Sequence, residues 1–221
     1  KKYENIKLIK QQKNQGLASA RNTAIRNSNS DWIVIIDHDD KFYIDRLQNQ
    51  YEDIIKNPDS KLFFGDSIFF DAFNFKKNRF SISKEIDKFD PTKINLKKKI
   101  AYYNLVEYGC FIVSSTVVFN KLCAIEIGLF NSKFKFIVDY IFFMEFSKKY
   151  NLYCSNKIIS YNRMHDKRNT KIMRYSLFFE LNKLYLSFYF SKMLSFRIKG
   201  IIIIKHLRLI LSIFRYKSVK H

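Results

Sequence analysis

Residues Trp32-Ile33-Val34-Ile35-Ile36 form an unbroken apolar, largely β-branched run that stops abruptly at Asp37-His38-Asp39-Asp40. Such a run predicts a strand buried on both faces, as in a parallel sheet covered by helices. Ligands of open α/β sheets bind beyond the carboxyl ends of the strands, which is where these acids fall. Three carboxylates so close together repel one another and are stable only if a cation or several donors neutralise them. Mg²⁺ or Mn²⁺ is the natural partner, since such ions bridge one or two carboxylates to phosphates. A solvated acidic turn or a helix cap is the plainer alternative.

The flanking sequence fits an α/β chain. Ile6-Lys7-Leu8-Ile9 alternates weakly and predicts a short strand, followed by a polar turn that ends at Gly16. Leu17 to Asn27 predicts an amphipathic helix, and Asp45 to Lys56 a second one with Leu47, Tyr51, Ile54 and Ile55 turned inward. Leu62-Phe63-Phe64, ending at Gly65-Asp66, predicts another strand, and right-handed crossovers would place the three strands in one sheet. Residues 71–99 are polar, basic and irregular, the pattern of a long excursion. Val113 to Phe119 is strand-like, and Asp139 to Lys149 is helical.

Composition narrows the function classes. The 221 residues carry 40 Lys+Arg against 20 Asp+Glu, a formal charge of +20, but 47% hydrophobic content excludes a disordered basic tail as the whole chain. The charge invites a nucleic-acid reading. The abundance of Lys, Asn, Ile, Phe and Tyr beside five Gly and two Pro also has the skew of AT-rich coding. No nucleic-acid motif is present, so nucleic acid is not the expected partner. Cys110, Cys123 and Cys154 have no CxxC spacing and an odd count, which fits a reducing compartment better than a disulfide framework. The opening Lys1-Lys2-Tyr3-Glu4-Asn5 has no apolar stretch behind it and starts in mid-pattern, which suggests the continuation of a longer chain.

From Tyr175 onward, long apolar stretches carry regularly spaced polar residues. Glu180, Lys183, Ser187 and Ser191 share one helical stripe, and Lys205, Arg208, Ser212 and Arg215 another. Two basic amphipathic helices suit an interfacial membrane anchor; packing on each other or on a partner subunit is the alternative. The division expected is residues 1–172 as the α/β domain and 173–221 as the C-terminal helices.

Several motifs occur in order. Asn14-Gln15-Gly16-Leu17-Ala18-Ser19-Ala20-Arg21-Asn22 precedes the apolar strand and its Asp37-His38-Asp39. Asp45-Arg46-Leu47, Asn57-Pro58, Phe64-Gly65-Asp66, Ile127-Gly128-Leu129-Phe130 and Val138-Asp139-Tyr140 follow. Together these resemble the signature of family 2 glycosyltransferases, across most of residues 6–170. The resemblance implies the GT-A fold, a Rossmann-like and mainly parallel sheet, and metal-dependent, inverting transfer of a sugar from a nucleotide-diphosphate-sugar. The implied acceptor is a surface polysaccharide or lipid-linked glycan, and the basic C-terminal helices would hold the protein at the cytoplasmic face of a membrane.

Residue by residue, the resemblance implies Asp39 as the metal ligand, with Asp37 on the metal shell or the ribose and Asp40 as a supporting acid at the donor. His38 fills the variable middle position of the D-x-D motif. Asp139 matches the catalytic base, although Val138 replaces the acid that usually precedes it; away from the family context Asp139 reads as a helix cap. Arg21 and Asn22 face the donor site, with a salt bridge from Arg21 to the Asp37 cluster as the alternative to a phosphate contact. In Tyr161-Asn162-Arg163-Met164-His165-Asp166-Lys167-Arg168, His165 is the expected metal ligand and Arg168 the expected diphosphate contact, against an ordinary surface role for each. The two leading strands of the family, which cradle the nucleoside base, have no counterpart before Ile6. The expectation is therefore an N-terminally truncated domain, with an inactive remnant or assembly subunit as the alternative function.

Overall fold

The computed structural model describes residues 5–70, 76–164 and 174–218. Helix α1 (Gly16–Arg26) leads into β1 (Trp32–Val34), the short β2 (Lys41–Phe42), α2 (Arg46–Lys56) and the long β3 (Ser60–Phe70). β4 (Lys76–Asn78), α3 (Arg79–Ile82) and α4 (Ile100–Tyr108) follow, then β5 (Val118–Asn120) and α5 (Lys121–Glu126). The chain continues through α6 (Val138–Lys149), β6 (Asn151–Arg163), α7 (Arg174–Tyr189) and α8 (Phe196–Ser218).

The sheet order is β1-β5-β3-β6-β2, with β4 paired to the far half of β3. β3 and β6 run parallel and form the spine, whereas β5 is antiparallel to both β1 and β3. β1, β3 and β6 therefore point the same way, as an α/β chain requires, but the described sheet is mixed rather than mainly parallel. The reversal of β5 has a simple cause. The chain reaches it at the carboxyl end of β1, with Val118 opposite Val34, and has to run back from there.

Gly65 allows the spine to close. A Cβ built on it would lie 2.4 Å from Ile159 Cγ1 and 2.8 Å from the Lys157 carbonyl oxygen, so only glycine permits β3 and β6 to approach this closely at the register shift beside Phe64. The core lies between the sheet and α4 and α6. Phe142 stacks on Phe130 with centroids 4.1 Å apart and meets Phe119 at 5.1 Å. Burial of each such ring contributes about 1.5–3 kcal/mol, which makes α6 the main apolar anchor.

Three local expectations are corrected. Ile6 to Ile9 form no strand; this stretch lies beside α1, where Gln11 donates to Ser19 and Thr23. The β1 run is not buried on both faces, since Trp32, Ile33 and Val34 are half-buried and Ile36 is exposed. Among the described residues β1 pairs only with β5, so it is an edge. Helix α2 is turned over relative to expectation: Leu47, Tyr51 and Ile55 are exposed, while Arg46, Gln50 and Asp53 are buried.

The C-terminal helices form a hairpin that packs on the domain, with Leu184, Phe188, Leu194 and Ile202 joining the common core. Their polar residues are partly turned inward. Glu180 accepts from the backbone N–H groups of Lys135, Phe136 and Ile137 at 2.6, 2.9 and 3.1 Å, capping the start of α6, and Lys205 donates to the carbonyls of Val106 and Glu107 at the end of α4. No helix among the described residues is long and apolar enough to cross a membrane. The division at 172/173 falls within residues 165–173, outside the described ones.

Candidate active site

The acidic turn after β1 is held by donors from three elements. The Asp37 N–H donates to Ser115 Oγ at 3.1 Å, and that hydroxyl donates to Asp40 Oδ2 at 2.5 Å. Asp40 also accepts from the side chain of Asn162 and, at 3.0 Å, from the backbone N–H of Arg163 at the end of β6. Asp40 is thus a structural pin that ties the turn to β6 and the 114–116 turn, and its carboxylate is committed to the protein rather than to a donor. Burial pushes its carboxyl up, while the Ser115 and Arg163 donors pull the other way.

Beneath this turn lies Arg46, 0% exposed. Its guanidinium donates to the carbonyls of Ser115, Ile35 and Val117, the last two at 3.1 Å, and to Gln50 Oε1 at 3.0 Å; Gln50 in turn donates to the Thr116 carbonyl at 2.8 Å. Four acceptors stand around one cation, and the Phe42 ring covers it at 4.2 Å. This explains the inverted α2. The carbonyl of Ile35 after β1 and those of residues 115–117 need donors, and Arg46 and Gln50 at i, i+4 supply them. Burial pushes the Arg46 guanidinium down to about 9, so it stays charged at neutral pH. The motif containing Arg46 was legible in the sequence, but its role was not, and Ser115 was missed within the plain run Ser114-Ser115-Thr116.

Arg21 joins the two halves of the site. From α1 it donates to Asp37 Oδ1 at 2.8 Å and to Asp139 Oδ1 at the start of α6, with its guanidinium 5.2 Å from the centre of the Phe130 ring. The acid of the turn and the acid of α6 are far apart in sequence, and one guanidinium brings them together. Asp139 has a side chain 28% exposed. Burial pushes its carboxyl up, opposed by the Arg21 charge and a hydrogen bond with Ser114, and Asp37 adds a smaller upward push.

The remaining expected residues divide. Asn22 is engaged at both ends of its amide with the backbone of Phe130, donating to its carbonyl at 2.8 Å and accepting from its N–H at 2.9 Å, so it clamps the Gly128-Leu129-Phe130 turn rather than facing the donor. His38 is exposed. His165 and Arg168 lie outside the described residues. A groove of about 560 Å³ runs between α1 and β1, lined by Leu17, Ala24, Ile33 and Ile36, and it opens at Arg21, Asp37 and His38.

Among the described residues no group of three or more His, Cys, Asp and Glu side chains is arranged to hold a metal ion. The donor set still suits Mg²⁺ or Mn²⁺ of the kind that takes one or two carboxylates and completes its shell with phosphate oxygens and water. Asp40 is spent on the protein, and one oxygen of Asp37 accepts from Arg21.

The sequence profile of glycosyl transferase family 2 matches residues 1–121, more than half of the 221. The chain belongs to the family 2 glycosyltransferases. It is 23% identical over 159 residues to uncharacterized glycosyltransferases of Rickettsia typhi and Rickettsia prowazekii, covering 71% of this chain and 47% of each relative. This family 2 chain therefore spans about half the length of the curated relatives it matches. Among solved structures, it superposes on Staphylococcus aureus TarS residues 1–349 with a TM-score of 0.57 and 14% identity, over 91% of this chain and 53% of that one. For TarS 1–349 in complex with UDP-GlcNAc the TM-score is 0.59, again at 14% identity, over 90% and 54%. The shared fold is the GT-A fold that the motifs implied, placing Arg21, Asp37 and Asp139 of this glycosyltransferase at the carboxyl end of its strands.

Proposed function

We propose that the chain carries the catalytic half of an inverting glycosyltransferase that uses a nucleotide-diphosphate-sugar. The observation that carries this reading is the Arg21 bridge, which sets an acid of the D-x-D turn and the acid at the start of α6 on either side of one cation. The TarS complex with UDP-GlcNAc supports a uridine-diphosphate sugar as the donor class.

In this reading Asp139 accepts the proton of the acceptor hydroxyl as that oxygen attacks the anomeric carbon. The new C–O bond forms, the bond to the diphosphate breaks, and the nucleotide diphosphate leaves with the electron pair. Arg21 fixes the Asp139 carboxylate and adds positive charge beside the departing diphosphate. Asp37 and Asp39 would hold Mg²⁺ or Mn²⁺, which when bound neutralises charge on the leaving group. The acceptor class is a surface polysaccharide or a lipid-linked glycan, with the protein at the cytoplasmic face of a membrane, where anionic lipid attracts Lys and Arg.

Calorimetric titration with UDP tests the donor half of this proposal. Heat of binding that appears with Mn²⁺ and is lost in Asp39→Ala is the expected result. Metal-independent binding, or none in the wild type, would favour an inactive assembly subunit instead.

A further inference from the structure

The α7–α8 hairpin carries an outward apolar face that nothing within the described chain covers. Phe196 is 94% exposed and Phe190 is 85% exposed at the hairpin tip, with exposed Met193 between them. Ile203, Ile204, Leu207 and Leu211 continue from Phe196 along α8, also exposed. The spacing from Phe196, i+7, i+8, i+11 and i+15, puts all five on one helical face. The opposite face is occupied. Ile202 is buried, His206 meets the Tyr189 hydroxyl at 2.8 Å and Asn182, and Lys205 is bound to the end of α4.

The charge around this face is one-sided. Residues 174–218 contain nine Lys or Arg and one acid, Glu180, and Glu180 is committed to the start of α6. Lys192 at the tip and Arg197 and Arg208 beside the apolar row are exposed. An exposed apolar row flanked by cations and lacking any exposed acid is complementary to anionic lipid, in which the apolar side chains enter the boundary of headgroups and acyl chains while the cations remain at the phosphates. A second copy is a poor occupant, because it would bring two chains of +20 face to face through the same basic surface. A spanning mode is unavailable to these helices over the described residues.

We propose that the face running from Phe190 through Phe196 to Leu211 docks on an anionic lipid surface, lying in its plane. This rests on the reading above that the protein works at a membrane and names the part that makes the contact. Two residues of the polar stripes, Glu180 and Lys205, are used inside the molecule, while the apolar row faces outward.

Co-sedimentation with phosphatidylcholine vesicles, with and without phosphatidylglycerol, tests it. The wild-type protein is expected to pellet with the phosphatidylglycerol vesicles and to be released by salt. Phe190→Ser/Phe196→Ser and Leu207→Ser should each weaken that partition roughly tenfold or more, with circular dichroism unchanged. Arg197→Gln/Arg208→Gln should lose most of the preference for phosphatidylglycerol. Equal binding by wild type and the Phe190/Phe196 variant would overturn the hairpin assignment while leaving membrane association intact. No binding by wild type to either vesicle would overturn membrane association itself. A dimer by sedimentation equilibrium that Phe196→Ser converts to monomer would assign the face to a second copy, against the proposal.

Discussion

At Asp139, burial and Arg21 pull one proton in opposite directions. Burial favours the protonated acid and the Arg21 cation favours the carboxylate, with burial the larger. A base must be ionised to act, so the acid limb of kcat/KM against pH reports this group, and it should lie above the ordinary carboxylate range. Arg21→Met removes a downward influence and leaves the upward ones, so the variant should move the acid limb to higher pH as well as lower the rate. An acid limb that stays in place would show that Asp139 is not the group titrating. Arg46 makes a separate, structural prediction. Arg46→Leu strands the carbonyls of Ser115 and Ile35 without a donor and leaves Val117 only the backbone N–H of Ile35, and chemical denaturation should show a loss of roughly 2–4 kcal/mol. Arg46→Lys should recover only part of it, because an ammonium cannot match the planar fork that serves four acceptors.

At the scale of elements, Gly65 and Glu180 carry the sharpest expectations. Gly65→Ala places a methyl group against Ile159 and the Lys157 carbonyl, and should cost about 1–3 kcal/mol, read as a fall in Tm. Glu180→Gln weakens the cap on α6 and should cost about 1 kcal/mol, less at high salt if the helix dipole contributes. Helices α1, α2 and α6 were legible because their turn residues and periodicity are local. What periodicity could not tell was which face of α2 turns inward. The apolar stripe of Leu47, Tyr51 and Ile55 lost to Arg46 and Gln50, whose partners are backbone carbonyls supplied by distant parts of the chain. β6 was not anticipated for a related reason. Its pairing with β3 depends on a glycine some ninety residues earlier in the chain, and its exposed and buried positions do not alternate cleanly. Ile6 to Ile9 had the composition of a strand but no ladder partner among the described residues. Within the site, the acids were legible as a cluster and Arg21 as a neighbour, whereas the roles of Ser115, Asn162 and Arg46 as their supports emerge only from contacts between separate elements.

For the molecule as a whole, the charge of +20 is spread unevenly in purpose. Arg46 is a buried structural cation, Arg21 is shared between two acids of the site, and the exposed cations of the C-terminal hairpin border an apolar row. Arg21 holds the acids of two sequence-distant motifs together at one end of the sheet, and the proposed sugar transfer rests on that placement. The most direct measurement is release of UDP from a UDP-sugar with Mn²⁺ present, comparing the wild-type protein with Asp139→Asn and following UDP binding in parallel. Wild-type turnover that falls by about 10²–10⁴ in Asp139→Asn, with UDP binding retained, is the predicted result. Asp139→Asn turning over as fast as wild type would contradict the assignment of the base and the reaction built on it.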